Sequence, residues 1–275
     1  MRVQARAGCR WWMLRLAPWL GAVLLVSAIC SILWPGLPER FEPGQSPPEP
    51  THRPLAEFST VVIDPGHGGN DSGASAHGLQ EKRISLDLAH RLAAELRAIG
   101  FTVVLTRDDD TYVSLPDRVK CARAMPAAIF ISLHCNYTSN AGVHGFQIYR
   151  AETKSAAVPA VTQTSADSEL LAGSEAQLAD AIRSSLSARL PCDHHEIKTA
   201  NFFVLRNLDM PALLIECGFL TNPEDARALA EPAFRAKLAE AIAGGIALYR
   251  SSASPPAVQE VTTLEDHPAK RGKAL

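Results

Sequence analysis

Four residues stand at places along the chain where hydrolytic chemistry gathers. His67 lies in Asp64-Pro65-Gly66-His67-Gly68-Gly69, just after a β-branched run, and His134 closes an apolar run in Ser132-Leu133-His134-Cys135-Asn136. Glu216 closes another in Leu214-Ile215-Glu216-Cys217-Gly218-Phe219, and Glu81 opens a helical stretch beyond the glycine-rich loop. Two histidines with one carboxylate make a hydrolytic zinc set with a fourth position left for water. A further carboxylate, off the metal, takes the proton from that water. Glycines beside His67 let backbone and substrate approach closely. Each residue also has a plainer role. His67 fits a turn, His134 a packed or surface histidine, and Glu81 a helix start, where an acid suits the dipole. Glu216 is harder to place in this way, because a carboxylate closing a buried strand is costly unless it is paired or used. Spacing alone leaves both the metal site and the structural roles open.

Positioning such residues requires strands that end where they stand. Strand-like runs cover Ser59 to Ile63, Thr102 to Thr106, Ala127 to Leu133, Gly145 to Tyr149, Phe203 to Leu205 and Ala212 to Ile215. Helical stretches separate them. Ile84, Leu88, Leu92 and Leu96 recur at helical spacing before Gly100, and Ser114 with Pro116 opens a helix to about Ala124. A helix from about Ser174 to Leu190 follows, then a short one capped by Asn222-Pro223-Glu224, and a last one from Pro232 to about Tyr249. This alternation predicts an α/β fold: one domain over 58–250, with a mostly parallel twisted sheet of about six strands and helices on both faces. In open sheets of this kind, working residues gather beyond the C-terminal strand ends.

Outside the domain the composition changes. Residues 1–15 carry Arg2, Arg6, Arg10 and Arg15, and the uncharged run 16–34 spans nineteen residues. As a helix it would rise roughly 28 Å, close to the hydrocarbon thickness of a bilayer. The flanking charges predict a cytoplasmic N-terminus, an inner-membrane anchor or a cleaved signal, and an extracytoplasmic domain in the cell envelope. Residues 35–57 read as a Pro-rich tether and 251–275 as a disordered tail. The charge balance, 27 basic against 29 acidic side chains, shows no basic stripe and excludes a nucleic-acid reader. Cys121, Cys135, Cys192 and Cys217 have no close C-x-x-C spacing; buried thiols are the default, with one bridge left open.

The domain resembles the zinc-dependent N-acetylmuramoyl-L-alanine amidases of the amidase 3 type. The matching stretches are VVIDPGHGGNDSGA at 61–74, LQEKRISLDLAHRL at 79–92, VVLTRDDDTYVSLPDR at 103–118, FISLHCN at 130–136, PALLIECGFLTNPEDARAL at 211–229 and AIAGGIALY at 241–249. The resemblance implies one Zn2+ per chain on His67, Glu81 and His134, with Glu216 as the catalytic glutamate. It further implies hydrolysis of the amide between N-acetylmuramic acid and L-alanine in peptidoglycan, for wall remodelling or daughter-cell separation. Arg206 is a candidate contact to substrate or transition state. The alternatives are a zinc peptidase or deacetylase on another wall bond, and a non-catalytic peptidoglycan-binding module. Some family members carry a long helical insertion that blocks the zinc until a partner removes it. Here the corresponding stretch, 151–173, is short and rich in Ala, Ser and Thr, which implies a site open without a divisome activator; for oligomeric state a monomer is the default. His77 and His144 are expected beyond the ligand shell or uninvolved, His194 and His195 in a surface loop, and Cys135 and Cys217 on the core side of their strands.

Overall fold

Val61, Val62 and Ile63 are apolar without alternation, and such a run stays dry only if both its faces are covered. The computed structural model describes residues 58–154, 165–190 and 194–253, and there these three form the middle of β1 (Thr60–Pro65), every residue of which is buried. The remaining strands are β2 (Ser75–Ala76), β3 (Leu79–Gln80), β4 (Thr102–Leu105), β5 (Ala128–Asn136), β6 (Phe146–Ala151), β7 (His195–Ala200) and β8 (Ala212–Phe219). Six of them make one sheet in the order β4-β1-β5-β8-β6-β7, while β2 and β3 pair separately. β4, β1, β5 and β8 run parallel; β6 is antiparallel to β8, and β7 parallel to β6. The sheet is therefore mixed at one end and otherwise parallel.

Among the described residues there are six helices: α1 (Glu81–Ala98), α2 (Leu115–Arg123), α3 (Ser165–Arg189), α4 (Phe203–Arg206), α5 (Pro223–Ala230) and α6 (Pro232–Ala253). The strands' period of two sorts their side chains between the faces. Ile129, Ile131, Leu133 and Cys135 of β5, with Ile215 and Cys217 of β8, join α1, α3 and α6 in the larger core. Phe130 and Leu214 point the other way, into a smaller core with Val119, Val204 and Leu205 under α2 and α4. The same alternation places Ser132, His134 and Glu216 on the second face, and the expectation that Cys135 and Cys217 are core residues is met. Leu88, Leu92 and Leu96 of α1 are at most 1% exposed. Truncating one, as in Leu92→Ala, costs about 2–5 kcal/mol through lost burial and the cavity left behind.

Caps agree with the sequence. Ser114 accepts from the Asp117 amide, and the Asn222 side chain accepts from the Glu224 and Asp225 amides at the start of α5. Gly100 takes a left-handed φ of 88° and lets α1 close with Phe101 N–H donating to Leu96 O.

Three expectations need correction. Phe203 to Leu205 is the short helix α4, not a strand: Leu205 and Arg206 N–H both donate back to Phe202 O. A short apolar run has no period of its own, and here burial of adjacent Val204 and Leu205 decides for a helical turn. The missing strand is β7, a polar edge strand opened by His195, whose ring stacks on Phe146 rather than sitting in a loop. Finally, α3 starts at Ser165, nine residues earlier than expected, and α6 runs on to Ala253, so the first residues assigned to the tail are helical. The assignments over 1–57, Cys192 and the rest of the tail lie outside the described residues. Among the described residues no helix is long and apolar enough to cross a membrane.

Candidate metal centre and active site

The loop after β1 is built from backbone geometries that few side chains tolerate. His67, Gly68 and Gly69 take φ of 61°, 129° and 60° in succession. A left-handed histidine is strained and persists only where its surroundings hold it. Here two buried arginines do so. Arg107 donates to Pro65 O (3.0 Å) and Gly66 O (2.7 Å). Arg118 donates to Asp64 Oδ1 (2.7 Å), Pro65 O (2.6 Å) and His67 O (2.7 Å). Asp64 is itself fixed by Ser132 and Thr106, so the Arg118–Asp64 pair has partners on every side, as a buried pair requires. Gly66 is required for a second reason: a Cβ there would stand 2.3 Å from the His134 ring.

This loop, the start of α1 and the end of β5 bring three of the candidate residues together. The Glu81 Oε1 atom lies 3.1 Å from His67 Nε2 and 2.8 Å from His134 Nδ1. Donor atoms of all three residues fall within 4.8 Å of one another. Ligands about 2 Å from a tetrahedral ion sit about 3.3 Å apart, so this set fits a zinc-sized cation. The supporting bonds fit as well. Asp71 Oδ2 accepts from His67 Nδ1 at 2.8 Å, which leaves Nε2 to face the cluster. The amides of Ala74 and Cys135 donate to Oε2 and Oε1 of Glu81. Burial alone would raise the Glu81 carboxyl, but hydrogen bonds and charge from His134 and His67 outweigh it and hold the acid well below the usual range. For His67, burial works against protonation, while Glu81 and Asp71 more than offset it, and the imidazole is raised.

Glu216 stands beside this cluster, paired in register with His134 on the neighbouring strand. Its Oε2 is buried and has no hydrogen-bond partner. Burial pushes its carboxyl up to about 7, with the Glu81 charge adding to the effect and His134 and His67 opposing it. A glutamate poised near neutrality suits general acid–base work. Glu216 and the histidine cluster line one cleft of about 830 Å3, whose walls include Tyr112, Leu115 and Phe202 to Val204. On the far side of Glu216, Gln147 accepts from Asn136 Nδ2 (2.9 Å) and Tyr149 OH (2.8 Å) and donates to Glu196, closing a polar network.

The other candidates fall elsewhere. Arg206 ends α4, exposed, with its guanidinium 5.7 Å from the Phe203 ring centroid; it is outside the cleft lining, although Phe203 is within it. His77 is not among the lining residues. His144 packs edge-on against His194 at a separate shallow pocket. Sequence reasoning overlooked Arg107, Arg118 and Asp71. The two arginines did carry a signal, since one follows a strand and the other lies on the inner face of an amphipathic helix, where a charge needs a purpose. Asp71 carried none beyond its place four residues after His67.

Comparison with known proteins adds the context. A model of the family described as N-acetylmuramoyl-L-alanine amidase (Amidase_3) matches residues 61–248. The N-acetylmuramoyl-L-alanine amidase LytC of Bacillus subtilis (strain 168) is 36% identical over 190 residues, which is 69% of this chain and 35% of that one. The chain thus spans about a third of the length of that relative. Among solved structures, the amidase AmiC2 of Nostoc punctiforme superposes with a TM-score of 0.61 at 36% identity, covering 70% of this chain and 97% of the other. The amidase from Clostridium difficile 630 does so with 0.61 at 34% identity, covering 71% and 98%. With the matched span, the fold and the relatives in agreement, the chain belongs to the N-acetylmuramoyl-L-alanine amidase family.

Proposed function

We propose that this chain is a zinc-dependent amidase of the cell envelope that hydrolyses the amide joining the lactyl group of N-acetylmuramic acid to L-alanine in peptidoglycan. The observation that carries this reading is the buried, unpartnered Oε2 of Glu216 beside the His67–Glu81–His134 donor set in one cleft. When bound there, zinc supplies Lewis acidity toward a carbonyl oxygen and lowers the pKa of water. His67, Glu81 and His134 hold the ion, and Asp71 orients His67. Glu216 takes the proton of the attacking water as the C–O bond forms. It returns that proton to the L-alanine nitrogen as the C–N bond breaks, leaving a free lactyl carboxylate and a free amine. Arg206, on the helix that supplies the Phe203 wall, contacts carboxylates of the stem peptide.

The apolar run 16–34 places the domain outside the cytoplasmic membrane, as an anchor or as a cleaved signal. The stretch 151–173 is short and rich in Ala, Ser and Thr, which supports a site open without an activator. A sharp rise in the activity of the purified protein on adding a divisome activator would overturn that part. The main test is digestion of purified peptidoglycan by zinc-loaded and chelated protein, with mass spectrometry of the products. Free stem peptides carrying an L-alanine amine, released only by the zinc-loaded form, are expected. Cleavage inside the peptide, or loss of acetate, would instead assign a peptidase or a deacetylase.

A further inference from the structure

Eight large apolar side chains are exposed among the described residues, and four of them (Tyr112, Leu115, Tyr137 and Phe202) line the one cleft that holds Glu216. Such a concentration marks a binding surface rather than random surface composition. Tyr112 and Tyr137 are the most exposed of the eight, at 58% and 59%. Phe202 differs, because its ring packs edge-on against Tyr149. Among the described residues neither tyrosine ring packs on another aromatic, and neither hydroxyl makes a hydrogen bond within the protein.

Although the rings are open, their backbones are fixed to the catalytic loops. A Cβ on Gly69 would stand 2.8 Å from Tyr112 N, so the Tyr112 backbone lies directly against the His67 loop. Tyr137 N–H donates to Asn136 Oδ1 (2.8 Å), and Asn136 is held in turn by Gln147. The next amide, of Thr138, donates to Thr221 Oγ1. Tyrosine loses little side-chain freedom on binding, so rings mounted this way form a preorganised surface.

Resting on the amidase reading above, we infer that Tyr112 and Tyr137 form a platform for the sugar rings that flank the cleaved muramic acid, so that the chain prefers glycan strands to single-sugar muropeptides. Pyranose rings present axial C–H groups that pack against the negative face of an aromatic ring. The charge nearby favours a neutral sugar over a peptide. Asp108, Asp109 and Asp110 are exposed just before Tyr112, with Lys82 paired to Asp110, and Asp71 is exposed in the neighbouring loop, paired to His67. Stem peptides carry carboxylates, which these acids repel from the Tyr112 side, so that the peptide lies away from that ring.

The test titrates the zinc-loaded full chain with a neutral β-1,4-linked N-acetylglucosamine hexamer, and separately with a free stem peptide. Replacing both residues, Tyr112→Ala with Tyr137→Ala, is expected to weaken hexamer binding roughly tenfold and leave peptide binding within about twofold. The double Tyr→Phe variant should bind the hexamer like wild type and so report that the Ala variant's loss is aromatic. In turnover, kcat/KM on long glycan strands should fall by a similar factor, and clearly further than that on a single-sugar muramoyl-peptide. Absence of hexamer binding by wild type, an unaltered double Ala variant, or equal losses on hexamer and peptide would each overturn the platform. If wild type releases no stem peptide from either substrate, the amidase reading fails, while the hexamer titration still decides the platform.

Discussion

Glu81 and Glu216 face the same two histidines, yet their surroundings are opposite. Glu81 receives His67, His134 and the Cys135 amide on one oxygen and the Ala74 amide on the other. Glu216 is half-buried, with its buried Oε2 left bare. The difference shows how one residue type serves two purposes: donors gathered around Glu81 keep it an anion, whereas withheld donors leave Glu216 able to gain and lose a proton.

The largest effect comes from exchanging the two acids' chemistry. Glu216→Gln is expected to retain about one zinc per chain and to lose about 10²–10⁴ in kcat for stem-peptide release. Glu81→Gln is expected to lose the metal itself, read by elemental analysis after dialysis. Retained zinc in the second protein, or lost zinc in the first, would erase the contrast. Next comes the support behind Glu81's side of the cleft. Arg118→Met strands the Asp64 carboxylate in the core and should cost about 3–5 kcal/mol in urea unfolding. A change below about 1 kcal/mol would show that the loop does not depend on that brace.

A smaller effect is expected from pH. Burial lifts the Glu216 carboxyl from its ordinary 4.5 to about 7. Below about pH 4.5 the group is protonated in both folded and unfolded chains and costs nothing. As pH rises toward 7 the unfolded chain ionises first, so stability is lost across that window and stays lost above it. Metal-free wild type should therefore weaken relative to Glu216→Gln by on the order of 2 kcal/mol between about pH 4.5 and 7. Urea midpoints of chelated samples measure this, and a flat difference would mean that Glu216 is no drier than an ordinary acid. The smallest effect is that of Arg206→Ala, expected to raise KM about twofold to fivefold with kcat unchanged, since an exposed rim charge contributes little.

The sequence shows the strand ends that carry His67, His134 and Glu216 because each closes an apolar run at a glycine or polar break, a local pattern. Glu81 is visible as a helix start but not as a shared partner, since its contacts to Ala74 and Cys135 arise only once α1 docks on the sheet. Arg107 and Arg118 lie more than forty positions from the carbonyls they brace, and no local period encodes such a pairing. α4 and β7 were misassigned for a similar reason: burial of Val204 and Leu205, and pairing of a polar strand to β6, are tertiary events.

The carbonyl oxygens of Pro65, Gly66 and His67 are all claimed by Arg107, Arg118 or Ser85, and those of Gly68 and Gly69 by the Asp71 amide and Lys82. Calcium requires six or more oxygen donors and often recruits backbone carbonyls to reach that number. With the carbonyl oxygens of residues 65–69 turned toward donors, a cation on the proposed set of His67, Glu81 and His134 would meet nitrogens and carboxylate oxygens rather than a ring of backbone carbonyls. If the proposed metal binds there, the guanidinium groups behind the loop would bias the site against oxygen-seeking ions without touching any ion themselves.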